Sequence, residues 1–451
     1  MKYNIGYFGD KRLEKSGASI ATKMLEKQTI CLRQLGKNRA EEVKFGRWLS
    51  NKKVTQEELI RTITHKTNQL VSKKHVLAIQ DTTEINYQDH EKRVKGLGTV
   101  GNGTDLGLFL HPMLILDAEE ETCLGLGAIT NWIRTEKANR RKKLPIEKKE
   151  SYRWLETSNQ VKNNLSKAAM ITIIADRESD IYEEWDRIPD TRTHILTRAC
   201  GNRKLMNGEC LFTTVNRLDT SGIYEFKVEE RVGKRSAHTA RLEIRFGEVE
   251  IKKTKGSDKQ AKPSIRLRVV DVKEVSETVV KKEKQIHWCL LTTHEVKSKE
   301  DALQMVNWYC LRWNIEQLFR LLKKQGLDIE SSQIETGKTL RKLAILALHV
   351  ALQTMQLMLA RKKKDQKISV VFNEYECKIL LLLQKKLEGK TKSQKNSNSP
   401  KKLSWGSWTI ARLGGWKGYQ SESPPGPITM LRGLKQFQLL VEGYCLANMC
   451  A

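Results

Sequence analysis

Apolar residues recur at helical spacing through the first 72 residues. Ile20, Met24 and Leu25 are followed by Cys31, Leu32 and Leu35. Thr55, with Glu58 three residues on, gives a capped helix start. From Val76 the spacing changes. Val76-Leu77-Ala78-Ile79 is a short apolar run that ends at Asp81, and 108–116 is a second strand. The glycine-rich stretch 96–107 between them predicts a hairpin turn. Residues 137–149 read as a basic exposed loop and 151–167 as a polar helix. Residues 170–175 form a third apolar strand, ending at Asp176, and 194–197 a fourth. Strands alternating with helices predict an α/β core.

Residues 200–285 break the alternation. Tyr224-Phe226-Val228, Leu242-Ile244-Phe246 and Ile265-Leu267-Val269 each place apolar residues two apart, as half-buried antiparallel strands do. This block reads as an all-β insertion into the α/β core. Residues 286–292 return to an apolar strand, and 299–326 read as one long helix stopped by Gly326. Residues 385–402 carry seven Lys with Ser, Asn and Pro, the composition of a flexible linker. Beyond it lie Trp405, Trp408, Trp416 and an apolar-striped helix over 428–447 suited to self-association. The expected organisation is a helical domain at 1–72, an α/β domain at 73–365 with the β insertion at 200–285, and a C-terminal helical region at 366–451, suited to dimerisation, with its linker at 385–402.

Charge narrows the class of partner. Among 451 residues, 81 Lys and Arg stand against 53 Asp and Glu, a formal net charge of +28. Such an excess suits a polyanion, most often nucleic acid. In residues 1–72, 15 Lys and Arg face 7 Asp and Glu, which suits a DNA groove or a solvated helical cap. Nine scattered Cys include no CxxC pair, which argues against a zinc site and for reduced thiols in a cytoplasmic protein without a signal peptide. Residues 343–360 are apolar enough to suggest a membrane span, but they include His349, Gln353, Thr354 and Gln356. A buried core helix is the better reading, and no membrane is expected.

Three carboxylates carry the candidate chemistry. At about 100° per residue, Tyr309, Arg312, Glu316, Arg320 and Lys323 share an arc of roughly 80°, with Leu311, Ile315, Leu318 and Leu322 opposite. Taken alone, that is an ordinary amphipathic surface helix with an i,i+4 ion pair. Likewise Asp81-Thr82-Thr83 alone reads as a turn or cap, and the segment from Asp176 to Asp180 as a solvated turn. Taken together, two strand-end aspartates and a helix glutamate form a candidate metal site, because open α/β sheets place ligands at the carboxyl ends of their strands. All-oxygen donors favour Mg²⁺, with Mn²⁺ as substitute, over zinc. Paired metals of that kind act on phosphodiesters.

Tyr309, Arg312, Glu316 and Lys323, at these spacings, resemble the Tyr-Arg-Glu-Lys signature of a group of bacterial insertion-sequence transposases. Ile79-Gln80-Asp81-Thr82-Thr83 and Ala175-Asp176-Arg177-Glu178-Ser179-Asp180-Ile181 resemble that group's two aspartate motifs. The likeness runs from Gly9-Asp10-Lys11-Arg12 to Ile410-Ala411-Arg412-Leu413-Gly414-Gly415. It implies an RNase H-like fold with Asp81, Asp176 and Glu316 as a catalytic metal triad. It implies cut-and-paste transposition through a hairpin, with transposon-end DNA and target DNA as partners and a homodimer in the paired-end complex. It also implies that Trp288 stacks a flipped base, that Arg198 contacts base and phosphate, and that Tyr309, Arg312 and Lys323 grip phosphates. Arg320 stands where a relative has Lys. A nuclease of the same fold that never joins strands, and an inactive DNA-binding inhibitor, are the alternatives.

Overall fold

The computed structural model describes residues 4–88, 93–101, 103–134, 144–230, 235–324, 326–361, 366–419, 422 and 424–449. Most of the expected basic loop at 137–149 lies outside them. The chain opens with four helices, α1 (Lys11–Lys27), α2 (Leu32–Leu35), α3 (Arg39–Ser50) and α4 (Gln56–Leu70). The Thr55 hydroxyl accepts the Glu58 N–H at 3.2 Å, the cap the sequence predicts.

A mixed sheet of eleven strands follows. Its first part comprises β1 (His75–Gln80), β2 (Thr83–Asn86), β3 (Gly98–Thr99), β4 (Leu106–Asp117) and β5 (Cys123–Trp132). After α5 (Tyr152–Asn164) come β6 (Met170–Ala175), α6 (Tyr182–Arg187) and β7 (Thr193–Arg198). Then come α7 (Leu211–Asn216), β8 (Gly222–Val228), β9 (His238–Lys252), β10 (Ser264–Glu274) and β11 (His287–Thr292). The strand order is β2-β4-β1-β6-β7-β11-β10-β9-β8, with β3 and β5 also on β4. Strands β1, β6 and β7 run parallel, and the other pairings are antiparallel.

The parallel centre is buried on both faces, which is why its strands read as unbroken apolar runs. Alternation sorts the side chains. Leu77, Ile79, Ile174, Leu196 and Leu290 join one core cluster, and Val76, Ala78, Ile171, Ile173, Ile195 and Leu291 the other. Helices α5, α6 and α7 cover the second face.

One sequence expectation changes here. Residues 200–285 are not all β. They contain α7, and β8 to β10 hydrogen-bond through β11 onto the edge of the main sheet. The pattern registered alternating strands but not their pairing partner. Strand β5 gave no readable signal, because Gly125 and Gly127 interrupt it. Gly125 has φ +155°, and Thr67 fills the space its Cβ would need. The Thr67 hydroxyl accepts the Leu126 N–H at 3.1 Å, beside an irregular stretch of the β4–β5 ladder.

The remaining helices are α8 (Lys299–Cys310), α9 (Trp313–Leu322), α10 (Gly337–Ala360), α11 (Glu374–Leu387), α12 (Leu403–Leu413) and α13 (Pro427–Met449). Helix α10 is long and apolar enough to cross a membrane, yet 94% of its apolar window is buried inside the protein. It packs on α1, α3, α4, α9, α12 and α13, so the N-terminal and C-terminal helices share one core cluster with the sheet. The tail is therefore not an appendage. Met430, Leu434 and Phe437 of α13 are fully buried. The Lys-rich stretch expected to be a linker begins inside α11 and continues as a compact loop. There Glu388 accepts the Asn396 N–H at 3.0 Å, and the Asn396 amide donates to the Trp405 carbonyl at 3.0 Å. Composition gave its solvated lysines, not its backbone anchors.

Helices α12 and α13 cross backbone against backbone. A Cβ on Gly433 would penetrate the Ile410 carbonyl, whereas one on Gly443 would meet open space. Gly433→Ala should destabilise the protein by about 1–3 kcal/mol, and Gly443→Ala should stabilise it by about 0.5–1 kcal/mol. Thermal melting of both variants checks the crossing; equal melting temperatures would refute it.

Candidate active site

Asp81 and Asp176 sit side by side because their strands do. Ile79 pairs with Ile174 in the parallel β1–β6 ladder, so each aspartate follows its strand at the same level. Asp81 occupies a gap in which β1 has ended and β2 has not begun, while both strands pair with β4. Its Oδ1 accepts the Thr82 N–H at 2.7 Å. The Asp176 Oδ1 accepts the Glu178 N–H at 2.8 Å and caps the short turn Arg177–Ser179. Both aspartates thus perform the local capping that short-range sequence suggests.

Glu316 arrives on α9. The expected single helix over 299–326 is instead two. Between α8 and α9 the backbone tightens: the Leu311 N–H reaches the Trp308 carbonyl and the Arg312 N–H the Tyr309 carbonyl, at 3.1 and 3.0 Å. No Gly or Pro marks this break. It makes Arg312 the residue that opens α9 and puts Glu316 in the first turn, where the helix dipole favours a carboxylate. Helix α9 itself ends at Leu322, four residues before the expected stop at Gly326. A Cβ there would penetrate the Leu321 carbonyl.

Arg312 holds the two carboxylates together. Its guanidinium donates to Asp81 Oδ2 at 2.8 Å and to Glu316 Oε1 at 2.7 Å. Burial pushes the Asp81 carboxyl up to about 6; Arg312 opposes that rise, and the charges of Asp176 and Glu316 add to it. The three acidic groups therefore feel one another across the strand ends. In this Arg-bridged arrangement, no group of three or more His, Cys, Asp or Glu among the described residues is placed to hold a metal ion.

The other expected site residues divide into two sets. Strand β11 is antiparallel to β7, so its first residues lie at the same sheet edge as the aspartates. Trp288 is half-buried there, its ring 6.1 Å from that of Tyr309 and 5.7 Å from that of Phe226. The Arg198 guanidinium donates to the His287 carbonyl at 2.7 Å. Burial raises the Tyr309 pKa, while Arg312 and Arg198 beside the ring hydroxyl draw it back down. Arg198, Trp288, Tyr309 and Arg312 thus form one wall of the site. Arg320 and Lys323 lie farther along. Arg320 is exposed and stacks over Trp313 at 5.1 Å, and the Lys323 ammonium lies 3.4 Å from Glu330. They border a groove of about 380 Å³ that also touches Glu316.

Sequence reading missed the polar layer behind the aspartates. Glu184 of α6 is fully buried and accepts from the Gln80 amide at 2.9 Å, from Ser158 at 3.2 Å and from Ser179. The Gln80 oxygen faces His111 Nε2 at 3.2 Å, and His111 Nδ1 faces the Thr82 hydroxyl at 2.8 Å. Arg153 of α5 donates to Thr82 Oγ1 at 3.0 Å and to Glu178 at 2.6 Å. The available signal was a Gln closing an apolar strand and a Glu on a helix face turned inward.

Burial pushes the Glu184 carboxyl up to about 7, against the hydrogen bonds it accepts from Ser179, Ser158 and Gln80. A folded-state pKa above the unfolded one contributes stability that is complete below the unfolded value of 4.5 and is lost as pH rises through about 7. The histidines are common to wild type and variant, so whatever protons they take up cancels in the difference. From about pH 6.5 to 8.5 the wild type should therefore lose on the order of 1 kcal/mol more stability than Glu184→Gln. Denaturant titrations across that range check it; parallel curves would refute it.

With the geometry in place, two comparisons bear on the chain. A structure of a piggyBac transposase synaptic complex with hairpin DNA aligns at 8% identity and a TM-score of 0.36, over 96% of this chain and 71% of that one. A TM-score at that level does not establish a shared fold. Residues 152–352 match the family model described as a transposase DDE domain, a segment that includes Asp176 and Glu316 and begins after Asp81. That match supports a transposase with a DDE domain.

Proposed function

We propose that this chain is a cut-and-paste DNA transposase of the bacterial insertion-sequence group with the Tyr-Arg-Glu-Lys signature, similar to the transposase of transposon five. One observation carries the reading: Arg312 gathers Asp81 and Glu316 beside Asp176, at the carboxyl ends of two parallel strands. The order β5-β4-β1-β6-β7, antiparallel up to β1 and parallel beyond it, supports an RNase H-like core.

The residues fit a divalent cation by their chemistry. The donors are all oxygen, and Asp81, Asp176 and Glu316 lie close enough for the charges of the other two to add to the burial that raises the Asp81 carboxyl. Asp81, Asp176 and Glu316 would hold Mg²⁺ or Mn²⁺, which when bound supplies Lewis acidity toward a phosphodiester and lowers the pKa of the attacking water or hydroxyl. Taking up that cation requires Arg312 to release at least one carboxylate. The freed guanidinium then becomes a donor for phosphate, beside Tyr309 and Arg198.

The reaction follows as four phosphoryl transfers. Water breaks the strand at the transposon end and leaves a 3′-hydroxyl. That hydroxyl attacks the opposite strand and closes a hairpin. A second water reopens the hairpin, and the 3′-hydroxyl then attacks target DNA. The chain's own residues orient the phosphates and exclude competing geometries. Leu439, Leu440, Tyr444 and Leu446 of α13 are exposed and offer an apolar face for the homodimer that pairs two ends. The setting is the bacterial cytoplasm, on the nucleoid.

Incubating the protein with Mg²⁺ and DNA that carries its flanking terminal inverted repeats tests the reading. Excised ends, hairpins and joined products are expected. Asp81→Asn, Asp176→Asn and Glu316→Gln should each abolish cleavage and leave end binding intact, because binding rests on the basic side chains. A variant that still cut near the wild-type rate would remove its residue from the triad. Cleavage without joined products would indicate a nuclease.

Trp288 separates the steps. A hairpin bends the duplex sharply, and taking one base out of the stack relieves the bend at a cost of a few kcal/mol. Stacking on an indole offsets about 1–3 kcal/mol of it. Trp288→Ala should leave the first nick nearly intact and slow the hairpin step roughly 10- to 100-fold, and Trp288→Phe should keep part of that step. Equal loss at every step, with a lowered melting temperature, would assign Trp288 to the core alone.

A further inference from the structure

The polar layer behind the site bridges the two aspartate-bearing segments at a defined place. Asp81 is held between Gln80 and Thr82, and Asp176 is followed by Glu178 and Ser179. Glu184 spans the first gap: one oxygen takes the Gln80 amide at 2.9 Å and the other takes the Ser179 hydroxyl. Arg153 spans the second, from Thr82 at 3.0 Å to Glu178 at 2.6 Å. Gln80, Ser158, Ser179 and Glu184 are all buried.

We propose that Glu184 is a positioning residue that fixes the separation of the Asp81 and Asp176 carboxylates and so sets the affinity of the site for its divalent cation. This rests on the triad reading given above.

The donors and acceptors allow one consistent pattern. His111 is fully buried and its pKa is held well below the usual value, so it is neutral with one N–H. With that N–H at Nε2, it donates to the Gln80 oxygen, and Nδ1 accepts from Thr82. The Gln80 amide is then turned toward Glu184 and Ser158. The Gln80 side chain cannot flip without breaking bonds at both ends. Glu184 is thus the acceptor on which an ordered chain of donors terminates. A lone buried carboxylate is costly, and this one is kept where apolar packing would serve folding better. Groups behind metal ligands, when removed, cost roughly 10- to 100-fold in affinity or activity.

Glu184→Gln in the full-length protein tests this. Glutamine there has one acceptor oxygen in place of two, so it cannot accept from the Gln80 amide and the Ser179 hydroxyl at once. Mn²⁺ titration of the DNA-free protein, followed by electron paramagnetic resonance, should show affinity weakened roughly 10- to 100-fold. The Mg²⁺ concentration for half-maximal end cleavage should rise in step, with end-DNA binding unchanged. The double variant Gln80→Glu with Glu184→Gln restores an amide-to-carboxylate contact in reverse and should recover both. A folded Glu184→Gln protein with wild-type Mn²⁺ affinity would overturn the proposal, as would failure of the exchanged pair to recover it. If Glu184→Gln does not fold, Ser179→Ala removes one half of the bridge and must show the same shift in smaller measure; wild-type Mn²⁺ affinity in that variant overturns the proposal equally. A wild-type protein that neither binds Mn²⁺ nor cleaves end DNA removes the triad reading itself, an outcome separate from wild-type cleavage that survives Glu184→Gln.

Discussion

Three carboxylates at one sheet edge repel one another and lose hydration, and the rest of the site is arranged around that cost. Arg312 offsets it for two of them, with one guanidinium between Asp81 and Glu316. Burial outweighs that one cation, and the Asp81 carboxyl remains raised to about 6. The break between α8 and α9 exists at the residue that makes this contact. An unbroken helix would carry Arg312 as one more interior residue. The tightened turn instead makes it the opening residue of α9, with Glu316 one turn on.

The sheet supplies the rigidity that such a site needs. Its central strands are packed on both faces, so neither aspartate can shift without disturbing two core clusters. The antiparallel turn of β11 against β7 then returns the chain to the same edge and delivers Trp288 there. Trp288 is neither a buried core residue nor a free surface one. It leans on the core through Phe226 and faces the site through Tyr309. That intermediate position lets a ring be held in place and still offer a face.

Strand-centre patterns were readable from sequence because two-sided burial leaves continuous apolar runs; Met170–Ala175 matches its expected bounds. Both aspartates were readable for the same reason, as the polar residues that end those runs. What sequence did not give depends on contacts distant along the chain. Strand β5 is stabilised by Thr67 filling the space beside Gly125. The β block at 200–285 is joined to the sheet by β11, which follows it. The α8–α9 break carries no Gly or Pro. Glu184 takes its role from Gln80 and Ser158, which lie 104 and 26 residues away.

The helices at the two ends of the chain were expected as separate modules, and their packing argues for a different coupling. Helix α10 runs through the core and touches α1, α3 and α4 on the one hand and α12 and α13 on the other. The basic N-terminal helices and the exposed apolar face of α13 are therefore braced against a common member, and that member also packs on α9, which carries Glu316. Two surfaces fixed to one helix hold a set orientation to the strand ends. Flexible linkers would let each module bind alone and would leave the geometry of cutting to chance. Here the buried stripe Met430, Leu434 and Phe437 commits the tail to the core, and Leu439, Leu440, Tyr444 and Leu446 stay exposed.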